Sequence, residues 1–223
     1  MTDFIPTRIL VTAGATQESI DDVRFLGNQS SGKLGSHIAL CAAIHGYECS
    51  LLHGNHSISP SKHPRLHSTP FSSTRDLWAK LDENWPSHEI LIMAAAVSDY
   101  TPRGGKLHGK LKRGDELQLP LSPTKDIVAH LAQNKRDDQS IIAFALEEPE
   151  NLEKAAREKL QRKRVDAIVA NPLETMNSSH IRATIYLKDG STLSPQSVCT
   201  KASFARWLIE NLDGITSTTP CTP

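Results

Sequence analysis

Residues able to bind and polarise an anion concentrate in two short stretches, with two sparser sets beyond them. The first stretch, residues 8–35 (RILVTAGATQESIDDVRFLGNQSSGKLG), carries Gly14, Thr16, Arg24, Asn28, Ser30, Ser31 and Gly32 between an apolar run at 9–11 and an apolar-periodic segment from Leu34. A buried strand, a Gly/Ser/Thr-rich loop and a helix start together make an anion site. The free N–H groups and positive dipole end of the helix meet phosphate oxygens, and small residues allow close approach. The second stretch, residues 94–100 (AAAVSDY), closes a buried strand with Ala94, Ala95 and Ala96. Three small residues there let a ligand approach the backbone at the carboxyl edge of a sheet, where open α/β sheets bind ligands. Asp99 stands just beyond that edge and offers a polar contact to a ligand or metal. Lys110 and Lys112, in Lys110-Leu111-Lys112-Arg113, supply cations, and Phe144, near Glu147, offers a platform for a base.

Each set has a structural alternative. Asn28, Ser30 and Ser31 are good turn and helix-capping residues, Arg24 suits a surface ion pair, and Asp99 suits a loop cap. Cations on an exposed ribbon protect its edge, and Phe144 suits a core. Residues 27–33 (GNQSSGK) match the G-x-x-x-x-G-K spacing of a phosphate loop, but Leu34 stands where a magnesium-binding Ser or Thr is required. The strand that should lead directly into that loop also lies well upstream, so a P-loop NTPase is rejected. The G-x-G-x-x-G fingerprint is missing at Gly14-Ala15-Thr16. No Tyr-x-x-x-Lys pair follows the third strand, and no acidic residue closes the second at Leu52-His53. These features count against an NAD(P)-dependent Rossmann reductase.

The elements that must position these residues follow from periodicity. Helical spacing at 34–45, ending at Gly46, leads to a strand at 49–52, then a Ser-, His- and Pro-rich loop over 55–69. A helix at 75–85, capped by Ser73 or Thr74, precedes a third strand at 89–96. Residues 110–112 and 116–121 alternate apolar and polar side chains like two strands of an exposed ribbon turning at Gly114-Asp115. Beyond it, a helix at 126–133, a strand at 140–145, a helix at 152–162, a strand at 167–170, a hairpin at 183–193 and a helix at 203–212 complete the pattern. The expected fold is α/β: a Rossmann-like doubly wound, mainly parallel sheet, with a β-ribbon arm at about 101–122 for dimerisation. Residues 1–214 form one domain and 215–223 a disordered tail.

Bulk properties narrow the function. The 223 residues hold 25 Lys plus Arg against 25 Asp plus Glu, so no excess of charge draws the chain to nucleic acid. No apolar run is long enough to span a bilayer, and the start of the chain is unlike a signal peptide. Cys41, Cys49, Cys199 and Cys221 lack metal-ligand spacing, as expected of a reduced, cytoplasmic protein.

Taken together, residues 9–35, 93–102 (MAAAVSDYTP), 109–128 (GKLKRGDELQLPLSPTKDIV), 141–147 (IIAFALE) and 165–172 (VDAIVANP) resemble the phosphopantothenoylcysteine synthetase family of coenzyme A biosynthesis. The chain departs from the family pattern at Ala15, at Gly27-Asn28-Gln29 and at Leu146. The resemblance implies a ligase that uses magnesium and CTP or ATP to activate 4′-phosphopantothenate as an acyl-nucleotide, which L-cysteine then converts to the amide. It implies that Lys110 neutralises the triphosphate and that Asn28 orients the acyl-nucleotide. Arg24 would hold the loop or substrate, and Lys112 would join Lys110 in the nucleotide site. Asp99 and Phe144 would contact the nucleotide, residues 30–32 a phosphate, and Ala94, Ala95 and Ala96 would keep the floor low. Metal ligands are not assigned. The resemblance further implies a homodimer with shared sites. With no decarboxylase half in the sequence, the stand-alone form is expected, and a separate decarboxylase partner is an open alternative. A non-catalytic nucleotide-binding relative and an NAD(P)-dependent reductase are the rival readings.

Overall fold

Ile9 and Val11 pack to one face of the strand Arg8–Ala13, Leu10 packs to the other, and all three are fully buried. A strand so patterned must be covered on both sides, as in a parallel sheet sandwiched by helices. The computed structural model describes residues 6–114, 116–176 and 178–216. In chain order the strands are β1 (Arg8–Ala13), β2 (Gln17–Ser19), β3 (Phe25–Gly27), β4 (Glu48–Gly54), β5 (Leu66–Phe71), β6 (Ile90–Met93) and β7 (Tyr100–Pro102). They continue with β8 (Leu121–Pro123), β9 (Ser140–Glu147), β10 (Ala167–Pro172), β11 (His180–Ile181), β12 (Thr184–Leu187), β13 (Thr192–Leu193) and β14 (Cys199–Thr200). The α-helices are α1 (Lys33–Ile44), α2 (Thr74–Asn84), α3 (Ile127–Gln133), α4 (Leu152–Lys163), α5 (Lys201–Glu210) and α6 (Leu212–Ile215).

An eight-stranded sheet runs β13-β12-β10-β9-β6-β1-β4-β5, parallel from β10 to β5 and antiparallel at β12 and β13. One core joins the Ile9 face to Ile38 and Ala42 of α1 and to Phe204 and Leu208 of α5. The other joins Leu10 to Leu77 and Leu81 of α2, Ile127 and Leu131 of α3, and Ala156 and Leu160 of α4. Helix α1 comes close to β1 because Gly35 has no side chain: a Cβ there would sit 2.6 Å from that of Ala13. The chain winds outward from β1 through β4 to β5, then returns to β6 on the opposite side of β1. The carboxyl ends of β1 and β6 are therefore the topological switch point, where ligands bind in such sheets.

Three expectations need correction. Residues 110–112 and 116–120 form no strands, and Leu121 only opens β8; the antiparallel ribbon is the short pair β7 and β8, at the base of the arm. Asp115 of the expected turn lies outside the described residues. Within the span read as loop, β5 pairs along β4 as an edge strand; only its last residue, Phe71, is buried, so its polar sequence hides the strand pattern. Ile215 and Thr216, placed in the tail, are buried, Ile215 as the last residue of α6; residues 217–223 lie outside the described residues. The loop after β1 also carries an unforeseen hairpin, β2 with β3, whose strands are too short to show a period.

Candidate functional site

A cavity of about 780 Å³ opens at this switch point. Its wall is formed by residues 27–35 between β3 and α1, by 93–97 after β6, and by 143–146 on β9. It brings together Asn28, Ser30, Ser31, Gly32, Ala94, Ala95, Ala96, Asp99 and Phe144 of the residues expected from sequence. Helix α1 begins here with Gly32 as N-cap at φ 72°, which has no side chain to cap it, and its first amide, that of Lys33, makes only a long 3.4 Å bond to Ser31 Oγ, so the positive end of the helix faces the cavity. Asn28 is no helix cap: its Nδ2 donates to the Val97 carbonyl at 3.1 Å. Asp99 makes no side-chain hydrogen bond or ion pair among the described residues, and only its carbonyl is used, by the Thr124 amide at 2.8 Å. Phe144 is half-buried, with part of its ring left for the cavity.

Gly14 and Thr16 do not line this cavity; they brace its floor. The Ala96 amide donates to the Gly14 carbonyl at 2.7 Å, and the Thr16 amide to the Ala96 carbonyl at 3.2 Å. Fully buried Thr16 also accepts from the Ser98 amide through Oγ1 at 2.9 Å. The Thr12 hydroxyl oxygen accepts the Ala95 amide at 3.1 Å. The alanine run is thus hung on the end of β1, with Gly14 and Thr16 among the groups that hold it.

Arg24, Lys110 and Lys112 also stand outside the cavity wall. Arg24 forks onto Asp21 Oδ2 (Nε 3.0 Å, Nη2 2.6 Å) and donates from Nη2 to the Leu111 carbonyl at 2.7 Å. It ties residues 109–111 to the β2–β3 hairpin. Lys110 and Lys112 are exposed on that segment.

Cations missed in the sequence complete the wall. Lys33, Lys125, Lys159, Lys163 and Lys201 line it, and the carboxylates among its lining residues are Asp99 and Asp126. Lys159 pairs with Glu147, and Lys163 with Asp126 at 3.1 Å, while Asp126 also caps α3 by accepting the Ala129 amide. Lys33 and Lys201 have no carboxylate partner among the described residues; burial, then the Lys33 charge, lowers the pKa of the Lys201 ammonium. Such unpaired cations hold a binding potential for a polyanion. The one sequence signal was the i, i+4 spacing of Lys159 and Lys163 on α4, which puts both on one helix face. A second cavity of about 240 Å³ is lined by Ala15, Gln17, Phe25, His56 and Ser57 and shares Asn28 and Ser30 with the first.

Among the described residues no group of three His, Cys, Asp or Glu side chains is placed to hold a metal ion. No helix there is long and apolar enough to cross a membrane.

The family model for the DNA/pantothenate metabolism flavoprotein C-terminal domain matches residues 5–215. The coenzyme A biosynthesis bifunctional protein CoaBC of Escherichia coli K12 is 32% identical over 200 residues, covering 86% of this chain and 48% of that protein. A cysteine/cysteine sulfinic acid decarboxylase of an unknown prokaryotic organism is 38% identical over 168 residues, covering 75% and 46% respectively. The chain spans about half the length of these curated relatives. The crystal structure of the C-terminal domain of CoaBC is 32% identical, with a TM-score of 0.78 over 94% of this chain and 95% of that one. The Streptococcus pneumoniae DNA/pantothenate metabolism flavoprotein is 28% identical, with a TM-score of 0.80 over 94% and 100%.

Proposed function

We infer the activity from one premise: the chain belongs to the DNA/pantothenate metabolism flavoprotein C-terminal domain family, whose pattern it matches across residues 5–215. It is a phosphopantothenate–cysteine ligase of coenzyme A biosynthesis. The observation that carries this reading is the gathering of Asn28, the start of α1 and five lysines around one cavity at the sheet's carboxyl edge. Joining a polyanion to a phosphorylated acid requires cations and N–H donors where negative charge accumulates.

In the first step the carboxylate of 4′-phosphopantothenate attacks the α-phosphorus of CTP or ATP. A phosphorus–oxygen bond forms, and pyrophosphate leaves with the electrons of the bond that breaks. The lysines offset the charge of the nucleotide, with Lys110 contributing from the segment that holds it. In the second step the amine of L-cysteine attacks the acyl carbon, the nucleoside monophosphate leaves, and the nitrogen loses a proton. Asn28 orients the acyl group for that attack. Magnesium would arrive with the nucleotide and neutralise its phosphates. The unpartnered carboxylate of Asp99 fits an ion held mostly by phosphate oxygens and water. A homodimer would cover Val23, Phe25 and Leu107, which stand exposed on and beside the hairpin.

The test is to incubate the chain with 4′-phosphopantothenate, L-cysteine, magnesium and CTP or ATP in turn. Pyrophosphate and the amide should appear together with at least one nucleotide. Carbon dioxide release from cysteine sulfinate without pyrophosphate would overturn the reading in favour of the activity that names the decarboxylase relative.

A further inference from the structure

Lys110 sits on a stretch without regular structure, yet the residues on either side of it are held by both of their backbone polar groups. The Gly109 amide donates to Asp22 Oδ2 at 2.7 Å, and the Gly109 carbonyl accepts the Asp22 amide at 3.1 Å. The Leu111 amide donates to Asp21 Oδ2 at 3.0 Å, and the Leu111 carbonyl accepts Arg24 Nη2 at 2.7 Å. Further along, the Leu107 amide donates to the Ile20 carbonyl at 2.9 Å, and Lys106 pairs with Asp22 at 2.6 Å. The turn between β2 and β3 thus grips the arm on both sides of one lysine.

Asp21 is the hub of the grip. Its side chain is fully inaccessible to solvent, although Arg24 beside it is not. Oδ1 accepts the Val23 and Arg24 amides at 2.8 and 2.7 Å, while Oδ2 accepts the Arg24 guanidinium twice and the Leu111 amide. The Leu111 amide above all, then the Val23 and Arg24 groups against the cost of burial, hold this carboxyl far below the usual carboxylate range. A surface ion pair alone needs none of these contacts to the arm.

We propose that Asp21 and Asp22 are positioning residues, which fix the backbone on both sides of Lys110 and so aim its ammonium at the nucleotide of the ligase reaction. This rests on the ligase reading, and it makes Arg24 part of the clamp. The segment is then a preset bracket for the cation, and the entropy of ordering it is spent on folding and not at each turnover.

The test uses Asp21→Asn, Asp22→Ala, Asp22→Asn and Lys110→Gln in the full chain, with pyrophosphate release and hydrogen exchange as readouts. Pyrophosphate release by the unaltered chain tests the ligase reading by itself. Asp21→Asn turns an amide donor toward Arg24 and Leu111. It should lower kcat for pyrophosphate release by about 100-fold with little change in the nucleotide KM, the cost of a misplaced group. Asp22→Ala should act in the same direction, and Asp22→Asn, which keeps an acceptor for Gly109, should restore the rate. The Gly109 and Leu111 amides should exchange faster in the damaging variants while the β1 amides stay protected. The clamp is overturned if Asp21→Asn and Asp22→Ala keep the full rate while Lys110→Gln loses it. It is equally overturned if Lys110→Gln keeps the rate, or if the exchange at 109 and 111 does not change.

Discussion

Asn28 Nδ2 lies 3.1 Å from the Val97 carbonyl oxygen, on the wall shared by the two cavities. A carbonyl oxygen can only accept, so this contact settles which end of the amide is which. Oδ1 is left as the acceptor, and no protein donor among the described residues claims it. The side chain is a fixed dipole between the larger cavity and its smaller neighbour.

Asn28→Asp should therefore separate the two half-reactions. A carboxylate cannot donate to Val97 and repels the phosphates of an acyl-nucleotide. Amide formation in a single turnover should slow by about 100-fold, with pyrophosphate still released in the first turnover. Thermal stability should change little, because Asn28 is exposed. Quenched-flow separation of the two products decides this, and amide formation at the normal rate would remove Asn28 from its role.

Lys201→Met should weaken nucleotide binding and stabilise the free protein. Burial and Lys33 disfavour the Lys201 ammonium, so its folded pKa lies below its unfolded one. That penalty is fully present below the folded pKa and fades as pH rises toward the unfolded value of about 10.4. Removing the charge should raise the thermal midpoint at pH 7 and lower nucleotide affinity by about tenfold. Calorimetric titration and a melting curve of the same variant check the two signs together.

Asp166 ties the far end of the sheet and should govern acid stability. Its carboxylate accepts Lys135 at 2.9 Å, Lys188 at 2.9 Å and the Ile141 amide at 2.8 Å. Burial alone would raise its pKa; Lys188, Lys135 and the amide together outweigh that and lower it. The resulting stability is full above the unfolded pKa of about 3.9 and is lost as pH falls through the folded value. Asp166→Ala should destabilise the protein by about 3 kcal/mol at pH 7 and flatten its acid-unfolding profile, as read by urea midpoints across pH.

Gly14→Ala should cost about 2–3 kcal/mol, because φ is +82° and the new Cβ would lie 1.7 Å from Ser57 Oγ. Ser57→Ala in the same chain should recover only part of the loss, since it removes the Oγ collision and leaves the tight Cβ contact at 3.0 Å and the backbone strain. Denaturant midpoints of the two single variants and the pair measure the split; full recovery would show that φ contributes nothing.

What was legible in the sequence tracks where burial writes a pattern. The runs in β1, β6, β9 and β10 are apolar because helices cover both faces, so their order and the cavity at their ends could be read directly. Edge strand β5 could not, because its middle residues face water. Alternation at 110–121 suggested a ribbon, but the Gly109 and Leu111 backbone groups are taken by Asp21, Asp22 and Arg24, leaving none there for a neighbouring strand. Lys159 and Lys163 lie four apart on the charged helix α4, and only the crossover that lays α4 beside β9 and β10 turns them toward the cavity. Short-range pattern finds what the core demands, and it is silent on contacts between chain segments some ninety positions apart, such as Asp21 and Leu111.

The β2–β3 hairpin has a mechanical corollary. Its turn grips the arm, and its second strand runs straight into Gly27 and thence Asn28. Asn28 and the residues flanking Lys110 are therefore bolted to a single bracket. Inserting or deleting one residue between Ser19 and Phe25 would knock both out of alignment together, so activation and condensation would fail in step.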